Sequence, residues 1–190
     1  VWEIYTTFSN ELKPLYEPID RGNRLYFAGR REQNPSKPMP SDANSTMRMS
    51  YGTIKGYSPA DAVEYDYFTT SRGILEKNNP ESTEFNVFPS FLELIKKGDW
   101  GRWADKKDGK LHVAFISTND ITGGNSGSPV FDKNGRVFGL AFDGNWEAMS
   151  GDIEFEPNLQ RTIVVDIRYV LFTIDKWGKC SRLIDEMTIK

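Results

Sequence analysis

The 190-residue chain is short of the residues that most often carry chemistry: it has one cysteine, Cys180, and one histidine, His112. A single cysteine excludes an internal disulfide framework and a cysteine-rich zinc site. A single histidine excludes a histidine-cluster metal site and leaves one imidazole as a candidate base. No sign of charge dominates. Twenty-four Lys and Arg face 27 Asp and Glu, for a net charge of −3, so the basic footprint of a nucleic-acid binder is missing. No apolar run reaches the 18 or so residues that a membrane-spanning helix needs. The chain opens on Val1 without a signal-peptide pattern and reads as an excised or processed piece.

What is present suits a packed domain. Hydrophobic residues make up 38% and aromatics 13%, enough for a real core at this length. Residues 1–32 carry Trp2, Ile4, Tyr5 and Phe8 near one helical face. Pro14 and Pro18 predict a break, and Asp20 a fresh cap, before Gly29. Residues 33–46 hold three prolines among turn formers and mark the best internal boundary. Beyond it, β-branched and aromatic residues predict strands over 47–57, 63–69, 111–117, 129–132, 136–142 and 161–165. Asp132–Gly135 reads as a hairpin turn. Residues 89–97 begin with Pro, place Phe91, Leu94 and Ile95 at helical spacing and precede Gly98, which predicts a short helix. Ile167, Val170, Leu171 and Ile174 repeat likewise, with Asp166 as cap and Gly178 as terminator, which predicts a helix over 167–177.

One segment is built for a nucleophile: Thr122-Gly-Gly-Asn-Ser-Gly-Ser-Pro-Val130. Glycines at 123, 124 and 127 permit backbone conformations closed to other residues and let a substrate carbonyl approach the main chain. Nearby N–H groups can then converge on a developing oxyanion, typically worth roughly 3–4 kcal/mol per donor. Taken alone, a Gly/Ser/Asn cluster between strands is also how an ordinary loop is spelled.

The longer wording narrows the choice. Gly-Asn-Ser-Gly-Ser-Pro-Val resembles the nucleophile segment of chymotrypsin-fold serine peptidases and also occurs in glutamyl endopeptidases. Asn119–Val130, Gly139–Ile153, Gln160–Trp177 and Arg182–Met187 resemble the bacterial S46 dipeptidyl peptidases. Ser41–Thr46, Met47–Gly52 and Val63–Thr70 are similar to the same family, and the wording lies nearest its dipeptidyl peptidase 7 type.

The resemblance implies a mainly β fold with helices: the C-terminal part of a trypsin-like antiparallel β-barrel, preceded by a short helical segment. Residues 1–45 would be the tail of a helical domain plus a linker, and 46–190 the C-terminal part of the peptidase domain. It implies release of N-terminal dipeptides from oligopeptides with free N-termini, in the bacterial periplasm or at the cell surface, by an enzyme that forms homodimers. Ser126 aligns with the nucleophile, and the N–H groups of Gly124 and Ser126 with the oxyanion hole. Asn125 stands where many trypsin-like enzymes carry Asp, which argues against activation through a buried new N-terminus. Asp143 aligns with the acidic residue that holds the substrate α-amino group. Gly144 aligns with the position that sets side-chain preference, where Asp- and Glu-cleaving relatives carry Arg; with Phe142 and Trp146 nearby, it implies a preference for bulky apolar residues. Asp143 also fits a plain turn, and Gly144 a left-handed hairpin residue. No metal or organic cofactor is implied.

The family's catalytic His and Asp precede the matched region, so the resemblance also implies a partner, the N-terminal portion of the parent enzyme. The isolated chain is then expected to be inactive. His112, only 14 residues before Ser126, is rejected as the base and read as a packed or surface residue. Glu154, Glu156, Lys96, Lys97, Lys106 and Lys107 read as solvated faces. Cys180 reads as a packed thiol. Two other readings remain: a peptide-N-terminus binding module without catalysis, and a glutamyl-endopeptidase-like enzyme. The second would need a basic pocket, and Asp143 with Gly144 supplies the opposite charge.

Overall fold

A computed structural model describes residues 2–37, 39, 46–151 and 153–190. The chain divides into two units, residues 1–42 and 43–190. Half of the expected linker, Ser41–Ser45 included, lies outside the described residues.

The first unit is one helix, α1 (Trp2–Gln33), running through both prolines. The expected break is therefore absent. Pro14 and Pro18 are one helical turn apart, so the hydrogen bonds they delete, to the carbonyls of Asn10 and Pro14, fall on one side. That side lies roughly a quarter turn around the helix from the stripe of Ile4, Phe8, Leu15, Ile19 and Tyr26, and the freed carbonyls can be hydrated on this exposed helix.

The second unit mixes helix with antiparallel sheet. Its elements are β1 (Tyr57–Ala60), β2 (Val63–Tyr65), β3 (Phe68–Thr70), α2 (Ser71–Lys77), α3 (Pro89–Lys97), β4 (His112–Ser117), β5 (Pro129–Phe131), β6 (Val137–Gly144), β7 (Thr162–Asp166), α4 (Ile167–Phe172) and α5 (Ser181–Asp185). β1 and β2 form a hairpin, and the other strands an open sheet in the order β3-β4-β7-β6-β5. With α1 counted, helix outweighs strand among the described residues, so the chain is mixed rather than mainly β.

Several expectations change in detail. Residues 47–57 do not form one strand. Only a bridge from Ile54 to Ser117 and a few main-chain bonds, such as Thr118 N–H to Thr53 O at 2.9 Å, tie this run to the end of β4. The helix over 89–97 is present, with Pro89 in its first turn and Gly98 left-handed at φ +68°. The helix after Asp166 is α-helical only to Phe172 and then widens into a π-turn, Thr173–Trp177. Gly178 caps this turn, as expected of a terminator, but at φ −71°; the left-handed conformation falls on Lys179 at φ +52°. Cys180 follows and is exposed rather than packed, because the chain leaves the core at this turn.

Apolar spacing explains the core. Phe91 and Ile95 of α3 meet Leu171 and Phe172 of α4, with Trp103, Leu111 and Ile184 closing the cluster. The Trp103 indole N–H donates to Asp175 at 2.9 Å. On the sheet, Phe115 and Phe138 stack with centroids 5.1 Å apart beside the buried Val164. Helices thus pack at one region of the sheet, and the strand ends near residues 118–128 and 142–144 are left for the site.

Candidate active site

The loop that carries Ser126 joins β4 to β5, two strands that are not neighbours in the sheet. Its shape follows from its spelling. Asn125 N–H donates to Thr122 O, and the Asn125 side-chain oxygen accepts from Thr122 N–H, both at 3.1 Å. The neutral amide thus closes its own turn. Gly124 and Gly127 sit at φ +101° and +83°, a region that L side chains rarely enter. Gly123 has no positive φ, so two of the three expected glycines are needed for conformation.

Main-chain bonds fix this loop against β6. Gly127 N–H donates to Ala141 O at 2.7 Å, and Ala141 N–H to Ser128 O at 2.9 Å. Ser126 is exposed, and among the described residues its Oγ makes one long contact, 3.4 Å, to Phe142 O. The N–H groups of Asn125, Gly127 and Ser128 all have main-chain acceptors. Those of Gly124 and Ser126 have none among the described residues. The loop that carries the hydroxyl thus holds two N–H groups without an acceptor among the described residues.

The next residues of β6 are Asp143 and Gly144. Asp143 is exposed, and its carboxylate accepts from Gly144 N–H at 2.8 Å. No cation pairs with it among the described residues. Gly144 ends the strand opposite Thr162 and is not left-handed. Its lack of a side chain has another cause: a Cβ there would lie 3.0 Å from Ala148 Cβ. Phe142, 47% exposed, and Trp146, 84% exposed, are the exposed aromatic residues on either side of this pair in the chain.

A polar frame beneath the site was not legible in the sequence. Asn145 is buried. Its amide donates to Glu147 and to Leu159 O, both at 2.8 Å, and its oxygen accepts from Arg161 N–H at 2.8 Å. Tyr57 O–H donates to the same Glu147 carboxylate oxygen at 2.9 Å. Arg161, only 2% exposed, spends its guanidinium on the carbonyls of Lys55, Gly56, Pro157, Asn158 and Gln160. The one available signal was an Asn-x-Glu following Asp-Gly, which is too common to read.

His112 lies elsewhere. Strand register sets it three or four residues along β4 from the level of Phe142, and two strands across, or roughly 10 Å in each direction. It is buried, stacked on Phe68 at 4.0 Å, with Nε2 2.9 Å from Asp108 and Nδ1 3.4 Å from Arg168. Arg168 in turn holds Asp166 and Asp105. Asp105, Asp108 and His112 bring ligand-type atoms within 4.8 Å of one another. Arg168 already supplies the positive charge there, so the group is satisfied as an ion-pair network.

That network has a measurable consequence. The Arg168 hydrogen bond holds the Asp105 carboxyl at about 2, against an ordinary value of 3.8. A lowered folded-state value stabilises the fold above the unfolded value, and the contribution is lost as pH falls toward the folded one. The stability difference between wild type and Arg168→Met should shrink between about pH 4 and pH 2. Acid-unfolding curves of the two proteins check this; parallel curves would count against it.

The model of the peptidase S46 family matches residues 3–189. The chain belongs to this family. It is 66% identical over 171 residues to dipeptidyl-peptidase 7 of Porphyromonas gingivalis, covering 90% of this chain and 24% of that protein. It is 49% identical to dipeptidyl-peptidase 7 of Phocaeicola vulgatus, covering 99% of this chain and 26% of the relative. With the Asp/Glu-specific dipeptidyl-peptidase of Porphyromonas gingivalis it shares 48% identity over all of this chain and 26% of the relative. Among solved structures, Porphyromonas endodontalis DPP11 in complex with the dipeptide Arg-Glu matches with a TM-score of 0.82 and 42% identity, over 95% of this chain and 26% of that one. The S46 segment described here therefore spans about a quarter of the length of the relatives it matches. The exposed glycine loop, the uncommitted Asp143 and the side-chain-free Gly144 all lie within the matched residues.

Proposed function

We propose that this segment supplies the nucleophile and part of the substrate pocket of a serine dipeptidyl peptidase. The observation that carries the reading is a juxtaposition. Hydrogen bonds from Ser126 and Gly127 to Phe142 and Ala141 bring the hydroxyl beside the strand end that presents Asp143. Two extended residues span at most about 7 Å. A substrate ammonium held by Asp143 would thus leave its second peptide carbonyl within reach of Ser126, which is what dipeptide release requires.

In this reading Ser126 Oγ attacks the scissile carbonyl and loses its proton to an imidazole from the rest of the parent enzyme. The free N–H groups of Gly124 and Ser126 receive the oxyanion. Collapse expels the shortened peptide's amine and leaves a dipeptidyl ester, which water hydrolyses. The carboxylate of Asp143 binds the ammonium by a charge-assisted hydrogen bond. Gly144 offers no cation, and Phe142 and Trp146 offer apolar surface. A bulky apolar residue before the scissile bond is favoured, since an acidic one would lose hydration without a partner.

The remaining assignments follow the same reading. The open sheet of residues 46–190 is the C-terminal part of a chymotrypsin-like barrel whose closure needs strands from outside this chain. Residues 1–45 are the tail of a helical domain and its linker. The catalytic His and Asp come from the missing portion, so the isolated chain is inactive. The parent enzyme works in the periplasm or at the cell surface and forms homodimers.

Asp143→Asn in the full-length enzyme tests the reading. It removes the charge and keeps the shape. kcat/KM for peptides with free N-termini should fall by roughly 10- to 100-fold, mostly through KM. The already poor turnover of N-acetylated peptides should stay the same. Equal losses for free and acetylated substrates would sink the assignment of Asp143.

A further inference from the structure

Gly144 brings neither charge nor bulk to the side of the pocket proposed above. The structure gives it a second neighbour. Its backbone is that of a strand end, paired with Thr162, and no left-handed dihedral demands glycine. The demand is steric. A Cβ at 144 would stand 3.0 Å from Ala148 Cβ, whereas carbons in ordinary contact sit about 3.5–4.0 Å apart.

Ala148 belongs to the 3₁₀ turn Trp146–Ser150, which folds back over Gly144. That turn cannot withdraw easily. Ala148 N–H donates to Asn145 O at 2.9 Å, and Gly151 N–H to Ala148 O at 2.9 Å. The preceding Glu147 is held from two sides, by Tyr57 O–H at 2.9 Å and the Asn145 amide at 2.8 Å. Asn145 is itself bonded to Leu159 and Arg161 of the β7 approach. The wall opposite Gly144 is therefore a methyl group on a braced turn.

We propose that Ala148 is a second specificity-determining residue, which shares with Gly144 the space that receives the side chain next to the scissile bond. The inference rests on the reading above, that Gly144 borders this pocket. It adds that residues 144 and 148 are coupled: bulk at either position uses the same volume. An arginine at 144, as in acid-preferring relatives, would not seat here unless residue 148 yielded room.

The test uses the full-length enzyme and dipeptidyl substrates with Phe, Leu or Ala before the scissile bond. Ala148→Val should lower kcat/KM for the Phe substrate about tenfold relative to the Ala substrate, the scale of a methylene-sized change in a pocket. A second pair of variants decides the matter even if Ala148→Val fails to fold. Gly144→Ala should lose about tenfold on the Phe substrate, and Ala148→Gly added to it should restore most of that loss, a non-additive result. A Phe/Ala ratio unchanged by Ala148→Val while Gly144→Ala shifts it, or strict additivity of the pair, overturns the coupling. If substitutions at both positions leave the ratio unchanged, the failure lies with the assignment of Gly144 to the pocket.

Discussion

Ser126→Ala in the full-length enzyme should reduce dipeptide release by roughly 10⁴- to 10⁶-fold and leave the fold as stable as before. The size of the kinetic loss is that expected when the nucleophile of a serine peptidase is removed while the oxyanion site and substrate binding survive. The lack of a stability effect follows from the structure. Ser126 is exposed, and its hydroxyl makes one long contact of 3.4 Å to Phe142 O. Exposed side chains without committed bonds usually change stability by less than about 0.5 kcal/mol. Release of dipeptide from a chromogenic substrate, measured beside thermal unfolding, separates the two effects. The 190-residue chain alone should show no turnover. Its one imidazole, His112, is stacked on Phe68 and bonded to Asp108, well away from the loop. Turnover by Ser126→Ala within tenfold of wild type would end the nucleophile assignment.

The second large effect is structural. Arg161→Met should cost about 3–5 kcal/mol. Burial already disfavours the charge and lowers the Arg161 pKa. The cation persists because its guanidinium donates to five main-chain carbonyls and lies 5.4 Å from the Tyr57 ring centroid. Methionine fills the volume but strands those carbonyls without donors. A fall in Tm on the order of 10 °C is expected for a unit of this size. Arg161→Lys should recover only part of it, since an ammonium has three donors and no planar fork. The Arg161 main chain bonds Asn145 through its N–H and its carbonyl, and the guanidinium holds that main chain in place, so amide hydrogen exchange at residues 144–148 should quicken in both variants. Unchanged exchange there would separate the arginine from the site.

How much could be read in advance differs between elements for physical reasons. The helix over 89–97 carried its own start, face and stop, so local rules sufficed. The Asp132–Gly135 turn was equally self-contained: the Asp132 carboxylate accepts from Asn134 and Arg136 N–H groups at 2.8 and 2.9 Å, and Gly135 is left-handed. The strand expected over 47–57 failed because alternation does not supply a partner. Its middle makes a single bridge to the end of β4, and only its last residue, Tyr57, enters a strand, β1. The break expected at Pro14 and Pro18 failed because two lost bonds on one polar side do not forbid a helix. Cys180 is exposed because a left-handed Lys179 turns the chain outward.

The sequence by itself determined the glycine-rich serine loop, the family and the identity of the residues next to the serine. These depend on residue types in unbroken runs, and glycine, asparagine and serine fix such a loop through bonds a few residues apart. Its lone histidine also set the expectation, kept in the proposal, of a base supplied from outside this chain. Only the tertiary structure decided what that histidine does, namely complete an ion-pair network with Asp108 and Arg168. Only the tertiary structure placed Asp143 beside Ser126, braced Asn145 and Glu147 through Tyr57 and Arg161, and set Ala148 over Gly144. Those contacts join residues 16 to 106 positions apart or turn on a gap of tenths of an ångström. Neither separation in the chain nor a missing methyl group leaves a mark in residue spacing.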